Sequence, residues 1–105
     1  IGLIIFDEID AGVSGKVAKE MAMKMNQLSS KSTVICVTHL AIVASFAKKQ
    51  YLISKSSSTV SIELLDEEKR VEQLALMMSS KSDDTALQLA RNLLTESSKE
   101  IQNGC

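Results

Sequence analysis

The chain has 105 residues and a net charge of −1, with 12 Lys and Arg against 13 Asp and Glu. That length holds one domain with a modest core, and the balanced charge offers no global basic field to nucleic acid or an anionic membrane. No apolar run approaches a membrane span, the few aromatics (Phe6, Phe46, Tyr51) give no stacking platform for single strands, and Cys36 and Cys105 are too few for a disulfide framework, which suits a reducing, cytoplasmic setting.

The chain opens at Ile1 directly in an apolar run, without an initiator Met or a signal-peptide pattern, and so reads as a piece of a longer protein. The run Leu3-Ile4-Ile5-Phe6 leads straight into Asp7 and Glu8. A continuous apolar stretch of this kind predicts a strand buried on both faces, as in parallel sheets covered by helices. Acids at its carboxyl end are costly to bury unless they hold something. In open α/β sheets ligands sit outside the carboxyl ends of the strands. Successive strand residues point to opposite sides, so the two acids can take different tasks. The alternative is a strand that simply ends in an acidic turn.

Gly12 and Gly15 permit backbone turns, and Ser14 is placed to cap the helix that follows. Residues 15–29 have helical spacing, with Val17, Met21, Met25 and Leu28 on one face and Lys16, Glu20, Lys24 and Gln27 on the other. The methionines read as core more readily than as an adaptable binding surface. After a short serine-rich loop, residues 33–38 are β-branched and apolar and predict a second buried strand. Strand, helix and strand in one short unit predict a right-handed parallel crossover. Both strands then end on the same edge of the sheet, so Asp7, Glu8 and His39 converge.

Residues 40–47 predict a short helix whose negative end is complemented by Lys48 and Lys49. Residues 50–55 and 59–65 alternate Tyr51 and Ile53, then Val60, Ile62 and Leu64, and predict a half-buried hairpin around Ser56-Ser57-Ser58. A helix begins at Asp66 with Val71, Leu74, Ala75 and Met78 inward. Another begins at Ser82-Asp83-Asp84 with Ala86, Leu87, Ala90, Leu93 and Leu94 inward, and the tail from Ser97 onward is expected to fray.

Three blocks carry a family resemblance. Asp7-Glu8-Ile9-Asp10-Ala11-Gly12-Val13-Ser14-Gly15 resembles the end of the Walker B strand and the following loop of ATP-binding-cassette (ABC) ATPases. Within them it is most similar to the RecN branch of DNA-repair ATPases, which are related to the SMC proteins. Val34-Ile35-Cys36-Val37-Thr38-His39-Leu40 resembles the strand and switch histidine of the same ATPases, and Arg70-Val71-Glu72-Gln73-Leu74-Ala75 resembles the RecN carboxyl-terminal tail.

The resemblance implies an α/β fold that is part of a P-loop NTPase of ABC type, with parallel strands and a crossover helix, then a β-hairpin and two carboxyl-terminal helices. It implies one domain over residues 1–105, the carboxyl-terminal part of an ATPase head in double-strand-break repair and recombination. ATP and Mg²⁺ would be bound in the full-length parent. Asp7 would hold Mg²⁺, mostly through water; Glu8 would polarise or deprotonate the attacking water; His39 would contact and sense the γ-phosphate. Asp10, with Gly12 and Ser14, would form the loop that meets a second head across an ATP sandwich.

No G-x-x-x-x-G-K-[ST] phosphate loop occurs in the chain, so the amides that cradle phosphates would come from the remainder of the head. Alone, the chain is expected to be inactive and to self-associate through its incomplete sheet; DNA would be engaged through the parent, and no membrane is implied. Two alternatives stand beside this reading: a head fragment of another ABC ATPase, SMC-like or from a transporter, and a non-catalytic interaction domain with a degenerate acidic turn.

Overall fold

Hydrophobic alternation and helix-capping side chains shape the fold, seen here in a computed structural model that describes residues 2–7, 12–79 and 83–103. In chain order the elements are β1 (Leu3–Asp7), α1 (Gly15–Leu28), β2 (Thr33–Val37), α2 (Ala41–Ser45), β3 (Tyr51–Lys55), β4 (Val60–Leu64), α3 (Glu67–Ser79) and α4 (Asp84–Asn103). This is an α/β arrangement with one parallel strand pair, one antiparallel hairpin and helices.

The apolar runs 3–7 and 33–37 pair in parallel, with Leu3 opposite Thr33 and Asp7 opposite Val37. The Thr33 amide extends the ladder by donating to the Gly2 carbonyl at 2.8 Å. Phe6, Val34 and Cys36 turn toward a cluster of Ala18, Ala22 and Met25 from α1 with Val43 and Phe46 around α2. The opposite face carries Leu3 and Ile5, each 61% exposed, with Ile35 and Val37. The expectation that both faces are buried is therefore corrected. A run without polar residues shows that either face tolerates burial, but packing decides which face is covered, and no described element lies over the second.

α1 is capped by Ser14, whose Oγ accepts from the Val17 amide at 3.3 Å. At its other end the Ser29 and Ser30 hydroxyls donate to the Asn26 and Gln27 carbonyls at 2.6 and 2.8 Å. Its buried stripe is Ala18, Ala22 and Met25, whereas Val17 and Leu28 are 43% and 44% exposed. The predicted face is thus displaced by about one residue. Large apolar side chains weigh most in a periodicity count, but close helix packing selects the small ones, and two alanines one turn apart let α1 approach α2 and the sheet.

The hairpin pairs Tyr51 with Leu64, Ile53 with Ile62 and Lys55 with Val60. Its turn needs no glycine: the Ser56 amide donates to the Thr59 carbonyl at 2.8 Å, and the Thr59 amide donates back to Ser56 Oγ at 3.2 Å. The expected half-burial of its apolar stripe is overturned, because Tyr51, Ile53, Val60, Ile62 and Leu64 are all exposed, while the buried residues are Gln50 and Leu65 at its ends. Alternation identified the apolar face correctly, but no described element packs on it.

Asp66 Oδ1 accepts from the Lys69 amide at 2.8 Å and Asp83 Oδ1 from the Ala86 amide at 2.9 Å, so each carboxylate caps the start of its helix. Between α3, α4 and α2 lies a core of Ala41, Ala44, Val71, Leu74, Ala75, Ala86 and Ala90, flanked by Met77, Leu87, Leu93 and Leu94. Met78, expected inward, is 40% exposed, and Met77 takes its place. The tail does not fray at Ser97. α4 runs on to Asn103; Ser97 is 2% exposed and its hydroxyl meets that of Ser45 at 2.6 Å. Glu100 pairs with Lys19 at 3.0 Å and Ile101 packs on the α1–α2 cluster. A polar tail sequence hides these anchors because their partners lie far away along the chain.

Leu74 is fully buried and Leu89 is 53% exposed, which sets a contrast. Leu74→Ala is expected to lower the unfolding free energy by about 2–5 kcal/mol, and Leu89→Ala by no more than about 0.5 kcal/mol, both read from denaturant titrations. Equal effects would mean that the α3–α4 core is misplaced.

Candidate functional site

Parallel pairing puts the carboxyl ends of β1 and β2 side by side. Asp7 is the last residue of β1, exposed, opposite Val37. Two residues beyond Val37 stands His39, also exposed, on the connection into α2. This connection is ordered by its neighbours: Thr38 Oγ1 accepts from the Leu40 amide at 3.0 Å. The Leu40 carbonyl then accepts from the Val43 and Ala44 amides, each at 3.1 Å, and starts α2. Asp7 and His39 thus share one edge of the sheet.

On the β1 side, Gly12 has φ of +76° with open space around the position a Cβ would fill. The glycine is needed there for its backbone conformation, since other residues resist that left-handed region. Val13 packs on the α1–α2 cluster, and Ser14 begins α1. The cap uses a lone pair of the Ser14 hydroxyl and leaves its hydrogen to donate. Glu8 and Asp10, the other two acids of the predicted site, lie outside the described residues.

Asp7 offers one exposed carboxylate, a hard oxygen donor that suits a Mg²⁺ ion retaining most of its water. Among the described residues no group of three or more His, Cys, Asp or Glu is placed to hold a metal. Two shallow depressions on the described surface, one beside Lys24 and Leu28 and one beside Leu52 and Glu63, are lined by neither Asp7 nor His39. No described helix is long and apolar enough to cross a membrane.

One residue behind the connection into α2 was read from the sequence only as part of the carboxyl-terminal resemblance, without a role. Arg70 of α3 reaches back to α2, where its Nη2 donates to the carbonyls of Ala44, Ser45 and Ala47 at 2.9, 3.4 and 2.7 Å, and its Nε donates to Gln50 Oε1 at 3.1 Å. The cation hydrogen-bonded at the negative end of α2 is therefore Arg70; Lys48 and Lys49 are exposed. Burial pushes the Arg70 guanidinium below its ordinary pKa, with Glu67 acting in the opposite sense. A signal was present in the sequence: an arginine in the first turn of a helix opposes the helix dipole, and such a placement asks for a specific acceptor.

No family model matches the chain. Over 95 residues it is 38% identical to the DNA repair protein RecN of Streptomyces coelicolor, an alignment covering 86% of this chain and 17% of that protein. It is likewise 38% identical over 95 residues to RecN of Deinococcus radiodurans, covering 87% of this chain and 17% of the relative. It aligns along its whole length with RecN of Treponema pallidum at 33% identity, covering 19% of that protein. The chain thus spans less than a fifth of the length of these relatives. A solved chain from work on ATP-driven dimerization and DNA-stimulated activation of SMC ATPases superposes with a TM-score of 0.66 and 23% identity, over 75% of this chain and 49% of that one. That likeness is one of fold.

Because Ser14 closes the first turn of α1, Ser14→Ala is expected to cost about 1 kcal/mol and Ser14→Asp close to nothing, as measured by thermal melts. No change with alanine would show that the cap contributes nothing to this turn.

Proposed function

Because the chain belongs to the RecN family, matching its carboxyl-terminal part, we propose that it is the water-activating half of an ABC-type nucleotide site. On this reading the full-length protein is a cytoplasmic ATPase that binds and hydrolyses ATP in DNA double-strand-break repair and recombination. The observation that supports it most is the in-register parallel pairing that sets Asp7 beside the strand leading to His39. The identities of 33–40% to RecN proteins favour this branch over a transporter or another SMC-like head.

In the proposed site Asp7 would hold Mg²⁺, a hard ion suited to a carboxylate oxygen. When bound, the ion supplies positive charge that offsets the charge developing on the transferred phosphoryl group. Glu8, the next residue in the sequence, orients the attacking water and accepts its proton. His39 donates a hydrogen bond to the terminal phosphate, so its contact is lost once that phosphate leaves. Gly12 turns the chain after the acids, and the loop of Asp10, Gly12 and Ser14 meets a second head across an ATP sandwich. The remainder of the head supplies the phosphate-binding loop and completes a P-loop NTPase fold, and DNA is engaged through the full-length protein.

In that full-length protein Glu8→Gln keeps size and most hydrogen bonding but removes the base. ATP turnover is expected to fall by about a hundredfold or more while ATP affinity is retained, and Asp7→Asn is expected to weaken Mg²⁺-dependent binding instead. Turnover at the normal rate in Glu8→Gln would refute the assigned roles.

The open faces at Leu3, Ile5 and Ile35 and along the hairpin would be covered by the rest of the head. Expressed alone, this chain is expected to pair into a symmetric dimer through the open sheet or the outer side of α1. Light scattering should give a mass that rises with concentration; a clean monomer with a cooperative melt at high concentration would contradict this.

A further inference from the structure

α2 is only five residues long, too short to hold itself helical, yet it is gripped from three directions. From α1, Asn26 Nδ2 donates to the Phe46 carbonyl at 3.1 Å. From α4, the Ser97 hydroxyl meets that of Ser45 at 2.6 Å, both residues being buried. From α3, Arg70 takes three carbonyls at the carboxyl end of α2 and its exit. α2 begins at Ala41, one residue after the His39–Leu40 turn, and carries no side-chain cap at its start. That turn thus joins directly onto a short helix whose far end is held by Arg70.

We propose that Arg70 is a positioning residue for the nucleotide site, gripping the carboxyl end of α2 and thereby fixing the turn that presents His39. The inference rests on the reading of His39 as the residue facing the terminal phosphate, and it gives the carboxyl-terminal helices a task beyond closing the fold. The choice of arginine follows from its geometry. One planar group carries both Nη2, which meets the carbonyls, and Nε, which meets Gln50 Oε1, two fixed donor sites that a lysine ammonium lacks. Gln50 completes the arrangement by accepting from Nε and turning the group toward α2. The link runs both ways: a displacement of the His39 turn pulls on α2 and is felt at α3.

The test uses the full-length protein with Arg70→Lys and Arg70→Met, followed by hydrogen–deuterium exchange with mass spectrometry and by steady-state kinetics. Peptides covering residues 41–47 are expected to exchange about tenfold faster or more, while those of α1 and the middle of α4 stay within about twofold. The kcat for ATP is expected to drop about fivefold or more with KM within about twofold, because a misplaced group acts in the transition state more than in binding. A merely structural role would instead loosen all helices together and lower activity only as the folded fraction falls. If Arg70→Met does not fold, Arg70→Lys, which keeps the charge and the stem, decides the matter. Unchanged exchange over 41–47, or unchanged kcat in a folded Arg70→Lys, overturns the proposal. Loss of turnover in Glu8→Gln alongside normal kcat in Arg70→Lys would overturn this inference alone. Normal turnover in Glu8→Gln would overturn the functional reading beneath it, while the exchange over 41–47 still reports directly on the grip.

Discussion

Parallel, in-register pairing of β1 with β2 is the constraint on which the rest depends. Five consecutive pairs, from Leu3–Thr33 to Asp7–Val37, fix where each strand ends relative to the other. Because the strands run the same way, their carboxyl ends meet, and the residues that follow them are neighbours in space although some thirty positions separate them in sequence. A shift of one residue would send every side chain of β1 to the other face. The half-buried Phe6 would then leave the α1–α2 cluster, so packing beneath the sheet holds the register that forms the edge above it.

The helices arrange themselves around α2. Its inner residues serve two cores at once: Ala41 and Ala44 belong to the α3–α4 cluster, and Val43 joins the α1 cluster. Small side chains make this possible, since alanines at Ala18, Ala22, Ala75, Ala86 and Ala90 let four helices approach closely. The polar groups in this crowded region are matched, as they must be when water is excluded. Ser45 donates to the Ile42 carbonyl and meets Ser97, and the Arg70 guanidinium takes up the carbonyls that end α2. No buried side-chain nitrogen or oxygen among the described residues lacks a partner. A segment adjoining the candidate site is thus tied to α1, α3 and α4.

Much of this was legible in the sequence, for reasons that differ from element to element. The strands at 3–7 and 33–37 were visible as apolar, β-branched runs, and the crossover rule alone brought Asp7 and His39 together. Asp66 and the run Ser82-Asp83-Asp84 marked where the last two helices begin. The inward face of α1 was misread because Val17 and Leu28 outweigh alanines in any periodicity, while packing favours the alanines. The end of α4 was misread because Ser97, Ser98, Lys99 and Glu100 look like a solvated tail, and nothing local reveals that Ser97 and Glu100 have partners at Ser45 and Lys19. The task of Arg70, read only as part of the carboxyl-terminal resemblance, was missed for the same reason: its acceptors lie at 44–50, and only the folded chain brings them within reach. Burial of the hairpin face was overestimated because alternation marks which side is apolar without saying what covers it. Of the site itself, Asp7, Gly12, Ser14 and His39 fall on described residues, and Glu8 and Asp10 do not.

The central claim is that the shared edge of β1 and β2 faces the phosphates of a bound nucleotide. An experimental structure of the full-length protein with Mg²⁺ and a non-hydrolysable ATP analogue tests it most directly. The account predicts Asp7 in the outer hydration shell of the ion or directly on it, and a His39 ring nitrogen within hydrogen-bonding distance of the γ-phosphate, about 2.6–3.2 Å. A nucleotide bound elsewhere, with Asp7 and His39 both turned to solvent or to protein, would contradict it.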